Sequence, residues 1–276
     1  MRLMIDPLGG MAGDMFSAAL ISAGADFTAM RRAMLAAAEK LGSATITREE
    51  TADGACRLDI ALHSRAKHLE GAQAQKILAG VCEEFGIGEV YRDFAGRVLD
   101  ILLKAEIKAH RDFNIVIPAS HDHAHQAHDH GHDHKHEHDH LHRPADEGEG
   151  AFLHEAQDIV IDIIGAAMGL QLLGVEPRAR LLAPVSVGGG TVKFSHGTLP
   201  VPAPATKIIL EQYGIAWQAG PLPVELATPT GVSILAGLSA AAVFPGALEG
   251  KKIVAGGLAR GGKLLDIPPL KIVLVE

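Results

Sequence analysis

Arg2-Leu3-Met4-Ile5-Asp6-Pro7-Leu8-Gly9-Gly10-Met11-Ala12-Gly13-Asp14 is the stretch that decides the architecture. Residues 2 to 6 read as a short strand, the glycines as a loop, and the apolar periodic run from Met15 to Ala23 as a helix. Working outward, a second helix is expected over 27–41. Two alternating strands follow over 44–50 and 56–63, joined by Asp53-Gly54, which is strong hairpin chemistry. Helices are expected over 68–85 and 89–111. After a polar tract, 152–173 reads as a helix apolar on most faces, and so as a central one.

Arg180 to Val187 reads as a strand, Gly188-Gly189-Gly190 as a turn, and Thr191 to Phe194 as its partner strand. Pro200, Pro202 and Pro204 hold the next segment extended, because each fixes its own φ and restricts the residue before it. Helices over 205–213 and 230–240 and strands over 252–259 and 270–275 complete the pattern. The class is α+β, a mixed sheet flanked by helices with one long disordered His-rich loop. Residues 1–118 and 151–276 are expected to be two parts of one domain, with 119–150 as the loop between them.

The 276 residues, 47% of them hydrophobic, are enough for a sizeable core without staples. Cys56 and Cys82 have no CxxC spacing, so neither a disulfide framework nor a thiolate zinc site is indicated, and a reducing cytoplasm fits. A carboxylate at Asp6 precedes any signal-type apolar run, and no stretch approaches about 18 apolar residues, so neither secretion nor membrane spanning is expected. The net charge of −8 and the scattered aromatics argue against a nucleic-acid partner.

Eleven of the sixteen histidines fall between His121 and His142. Within that run His128, His130, His132, His134, His136, His138 and His140 alternate with other residues. Imidazoles with pKa near 6.5 are ligands for nickel, copper and zinc, so a flexible run of them is expected to bind several ions loosely. The plainer reading is a solvated linker. A catalytic role does not fit, since disordered ligands cannot hold a reacting centre in place.

Four further groups could carry chemistry. The opening loop sets Asp6 and Asp14 around Gly9, Gly10 and Gly13, where backbone amides and a helix start could receive an anion, although a plain turn has the same composition. On the core helix, His154, Asp158 and Asp162 span about 80° and Glu155 falls nearly in line with Asp162, so four ligand-type groups share a face. That face is either a site or the solvent side. His196, in Ser195-His196-Gly197-Thr198, is either functional or structural. The run Gly256-Gly257-Leu258-Ala259-Arg260-Gly261-Gly262-Lys263 is either an anion cradle or a surface turn.

In their order these blocks resemble the nickel-insertion (LarC) family of nickel-pincer cofactor synthesis. The resemblance rests on Asp6 through Met15, on His154-Glu155 followed by Asp158 through Gly165, and on Val187 through Gly190. It rests also on His196 through Thr206 and on Ala227-Thr228-Pro229-Thr230-Gly231. It implies insertion of Ni2+ into pyridinium-3,5-bisthiocarboxylic acid mononucleotide, with CTP bound by a missing or separate C-terminal domain or chain, and a homo-oligomer is expected. It also implies chemistry at Asp6, Asp14, Glu155 and His196, metal at His154, Asp158 and Asp162, and cofactor binding at Gly9, Gly10, Gly13, Gly189 and Thr228. Within that set, base and ligand are not separated. The competing expectation is a non-catalytic nickel or zinc store or chaperone.

Overall fold

Alternation in Leu3-Met4-Ile5 splits β1 (Arg2–Asp6) between two apolar environments. Leu3 and Ile5 enter the main core with Ile272 and Leu274, whereas Met4 joins Val273 and Val275 in a smaller cluster backed by Leu182 and Leu248. A strand apolar on both faces belongs inside a sheet. The computed structural model describes residues 1–63, 69–112, 152–153, 156–194, 197–240, 246 and 248–276.

After β1 come α1 (Gly13–Ser22), α2 (Phe27–Glu39), β2 (Ala44–Glu50), β3 (Cys56–Leu62), β4 (Leu69–Glu70), α3 (Gly71–Glu84) and α4 (Glu89–Asp112). The second half holds β5 (Phe152–Leu153), α5 (Ala156–Leu172), β6 (Ala179–Leu181), β7 (Val185–Ser186), β8 (Thr191–Phe194) and β9 (Gly197–Pro200). It ends with α6 (Pro204–Gln212), β10 (Trp217–Gln218), α7 (Pro229–Gly237), β11 (Ile253–Ala259) and β12 (Leu270–Val275).

The main sheet runs β2-β3-β11-β12-β1-β6. β1 pairs antiparallel with β12 and parallel with β6, so the sheet is mixed, and strands from both ends of the sequence meet at its centre. α1 lies on β11, β3 and β12 and in turn supports α5. α5 also meets α2, α3, α4 and α7, and Val160, Ile161, Ile163, Ile164, Ala166, Ala167 and Leu170 are all buried, as its apolar sequence predicts. The molecule is therefore an α+β fold organised around one interior helix. Among the described residues, no helix is long and apolar enough to cross a membrane.

Several boundaries differ from the sequence reading. Leu69–Glu70 and Phe152–Leu153 pair as short antiparallel strands, so α3 and α5 start later than expected. The segment 180–187 is not one strand. β6 extends β1, and the Leu182 N–H still donates to the Ile5 carbonyl (2.8 Å), but Pro184 has no N–H to continue the ladder. Val185 then pairs with β10, an exposed two-residue strand too short to show in the sequence pattern. The Asp53-Gly54 connection does form a hairpin, with Glu50 opposite Cys56.

Candidate metal centre

The opening loop is sewn to the segment that leads into α7. The Met11 N–H donates to the Leu226 carbonyl (2.9 Å), and the Thr228 N–H donates to the Met11 carbonyl (3.0 Å). Gly10 is needed in between, since its φ is +95° and a Cβ there would meet the Leu226 carbonyl oxygen at 2.1 Å. Thr228 caps α7, its Oγ1 accepting from the Gly231 N–H (3.1 Å). The starts of α1 and α7 are thereby fixed side by side. Replacing Thr228 by Ala should cost about 1 kcal/mol through loss of this cap, read as a lower urea midpoint with an unchanged slope.

Beside these helix starts lies a cleft of about 420 Å³, with Asp14 of α1 and Asp158 and Asp162 of α5 in its wall. Asp162 reaches it by passing over Gly13, where a Cβ would sit 2.2 Å from Asp162 Oδ2. Burial pushes the Asp14 carboxyl up to about 6, against the backbone amides of Met15 and Asp14, and the charge of Asp158 adds to the rise. Asp162 is raised well above the ordinary value, first by burial and then by the charges of Asp14 and Asp158. Asp14 and Asp162, each disfavoured in its charged form by burial and by neighbouring carboxylate charge, call for protons or a cation. Among the described residues, no three His, Cys, Asp or Glu side chains are placed to hold a metal ion together, so the three aspartates share a cleft wall without forming a preformed metal site.

The same cleft receives residues that the sequence reading missed: Glu106 and His110 of α4, Asp59 of β3, and Glu225. A signal for the α4 pair was present. Glu106 and His110 are one helical turn apart, and Glu106 borders the stripe that buries Leu102, Ala105 and Ala109.

A smaller recess of about 200 Å³ shares Ala12, Asp14, Glu225, Thr228 and Gly262 with the first, and adds Gly9, Arg260 and Lys263. Arg260 holds its loop in place. Its Nη1 donates to the carbonyls of Leu265 (3.2 Å) and Ile267 (2.8 Å), and its Nε to Asp53 Oδ2 (2.8 Å). The Arg260 guanidinium, helped by the Thr51 hydroxyl, holds the Asp53 carboxyl well below the usual carboxylate range.

Of the residues singled out by sequence, Asp14, Asp158, Asp162 and Thr228 meet in the larger recess, and Gly9 lines the smaller one. Gly10 and Gly13 shape the wall without lining it. Asp6 lies outside both recesses and accepts from the Leu8 N–H (3.3 Å), which closes the start of its own loop. Gly189 is also outside both, its N–H donating to the Val224 carbonyl (3.2 Å). His154, Glu155, His196 and the tract that includes His128 to His140 lie outside the described residues.

A family model described as "Nickel insertion protein" matches residues 3–129 and 132–270. The chain belongs to the nickel insertion protein family. A "Putative nickel insertion protein" of Methanothrix thermoacetophila is 33% identical over 238 residues, covering 85% of this chain and 49% of that protein. A protein of the same name from Geobacter metallireducens is 31% identical over 240 residues, 86% of this chain and 51% of its own length. A third, from Syntrophobacter fumaroxidans, reaches 49% identity over 85 residues, 30% of this chain and 21% of its own length. The chain spans about half the length of the first two relatives. No solved structure matches it. Membership of the nickel insertion family makes nickel the ion against which the aspartate group has to be read.

Proposed function

We propose that this chain is the metal-handling part of a nickel chelatase. It presents Ni2+ to pyridinium-3,5-bisthiocarboxylic acid mononucleotide, which leaves as the nickel-pincer cofactor, while CTP is used on a separate domain or chain. The observation that carries this reading is the group formed by Asp14, Asp158 and Asp162 in one cleft wall of a nickel insertion family member. Oxygen donors hold nickel less firmly than the substrate's sulfurs, so the ion moves from aspartates to thiocarboxylates. Lys263 and the Gly261-Gly262 turn, in the adjoining recess, offer positive charge and backbone amides to the substrate's phosphate. The histidines between His121 and His142 supply the ion from a loosely bound reserve.

A second reading, a nickel or zinc store or chaperone without catalysis, is favoured by the density of that histidine tract. The two readings separate when pure protein is incubated with nickel, CTP and the dithio mononucleotide, with and without a separately supplied C-terminal domain. The chelatase yields nickel-pincer product in the complete mixture only, whereas a store binds nickel and yields none. Micromolar binding of CTP to this chain alone, measured by titration calorimetry, would refute the division of labour.

A further inference from the structure

We infer that Glu106 of α4 is the base that takes up the substrate's ring proton as the nickel–carbon bond forms, an assignment that rests on the chelatase reading. In that step the ring C–H bond breaks and its electron pair becomes the bond to nickel. The proton goes to a carboxylate oxygen of Glu106, nickel stays divalent, and Glu106 later releases the proton to water. A base for this step must face the metal-loaded cleft, and one that is not a ligand serves best, because coordination to nickel lowers a carboxylate's basicity.

Glu106 meets both conditions. It lines the cleft that holds Asp14, Asp158 and Asp162, but it comes from a different helix. Its position, one turn after Leu102 and three residues before Ala109, puts a carboxyl at the edge of a buried apolar stripe, where it is costly without a partner. Among the described residues it makes no hydrogen bond or ion pair, so no packing role accounts for it. The three aspartates perturb one another, whereas Glu106 is displaced by burial alone, up to about 7, which separates it electrostatically from their group. A free carboxyl poised near neutrality can accept and release a proton at working pH. The other titratable groups facing the recess are Asp14, Asp59, His110, Asp158, Asp162 and Glu225.

The test compares the full chain with its Glu106→Gln and Glu106→Asp variants, each given nickel, CTP, the dithio mononucleotide and the separate C-terminal domain. Nickel binding is titrated in parallel. Gln preserves shape and removes a buried charge, so the variant should fold, and the expected result is unchanged nickel affinity with product formation slowed roughly 100-fold or more. Asp should restore part of the rate. The wild-type rate should fall as pH drops through about 7, and the residual rate of the Gln variant should not follow it. A Gln variant as fast as wild type overturns the assignment and leaves the chelatase reading standing. Loss of nickel affinity in that variant also overturns it, by making Glu106 a ligand. A wild-type mixture that binds nickel and substrate yet makes no product overturns both.

Discussion

Replacing Asp162 by Asn is expected to stabilise the metal-free protein as pH rises above the ordinary carboxyl value, while weakening nickel binding in the cleft roughly 100-fold or more, at or beyond the upper end of what losing a supporting partner does. Asp162 is only 9% exposed, on an interior helix, and faces two other carboxylates. Its folded pKa lies above its unfolded value, so ionisation opposes folding. The sign follows directly. The stability this group contributes is fully present below the ordinary carboxyl value of 3.8 and is lost as pH rises through its raised folded value. Asn keeps the shape and loses that dependence. Melting temperatures of metal-free wild type should therefore fall relative to the variant as pH rises above the ordinary carboxyl value, at about 2–4 °C for each kcal/mol. Nickel should reverse the order, since it stabilises the state that binds it. A variant less stable than wild type across this range would mean that Asp162 is a satisfied part of the core.

The second large effect is expected from Gly13→Ala. The added Cβ would lie 2.2 Å from Asp162 Oδ2, 2.5 Å from Cγ and 2.6 Å from Cβ. Because even the Cβ of Asp162 is too close, no rotation of that carboxylate makes room, and α1 must shift against α5. Overpacking of this kind costs about 1–3 kcal/mol, more than the roughly 1 kcal/mol that replacing a helical glycine returns. The same shift separates Asp14 from Asp162, so nickel affinity should fall with stability. The stability loss should shrink in the double variant Gly13→Ala, Asp162→Gly, whereas nickel affinity should not recover, since the carboxylate is gone. Urea titration of the two single variants and the double gives the coupling energy, and additive effects would contradict the contact.

The elements most visible in the sequence were those whose pattern is local. Leu3-Met4-Ile5 alternates between the two faces of a central strand, and the apolar run through Ile159 to Leu170 made α5 an interior helix before any packing was known. Helical spacing also put Asp158 and Asp162 on one face. It left open whether that face met solvent or another group, because the answer depends on α1 packing across Gly13, a contact between residues far apart in the chain. Asp6 looked equivalent to Asp14, but a carboxylate at a strand end can be satisfied by the turn that follows, and the Leu8 N–H does this. Glu106 does not stand out in the sequence, because Asp100 borders the same apolar period of α4 and is likewise half-buried. The break between β6 and β7 was written in Pro184, whose missing N–H outweighed the β-branched residues around it.

The measurement closest to the central claim is a nickel titration of the chain in which the eleven histidines from His121 to His142 are replaced by asparagine, so that nickel bound by those histidines does not obscure binding by the aspartates. The expected result is a single nickel ion per chain, bound more weakly as pH falls through about 6 and lost when Asp14 or Asp162 is changed to Asn. Absence of nickel binding in the histidine-free chain, or binding that survives both aspartate substitutions, would contradict it.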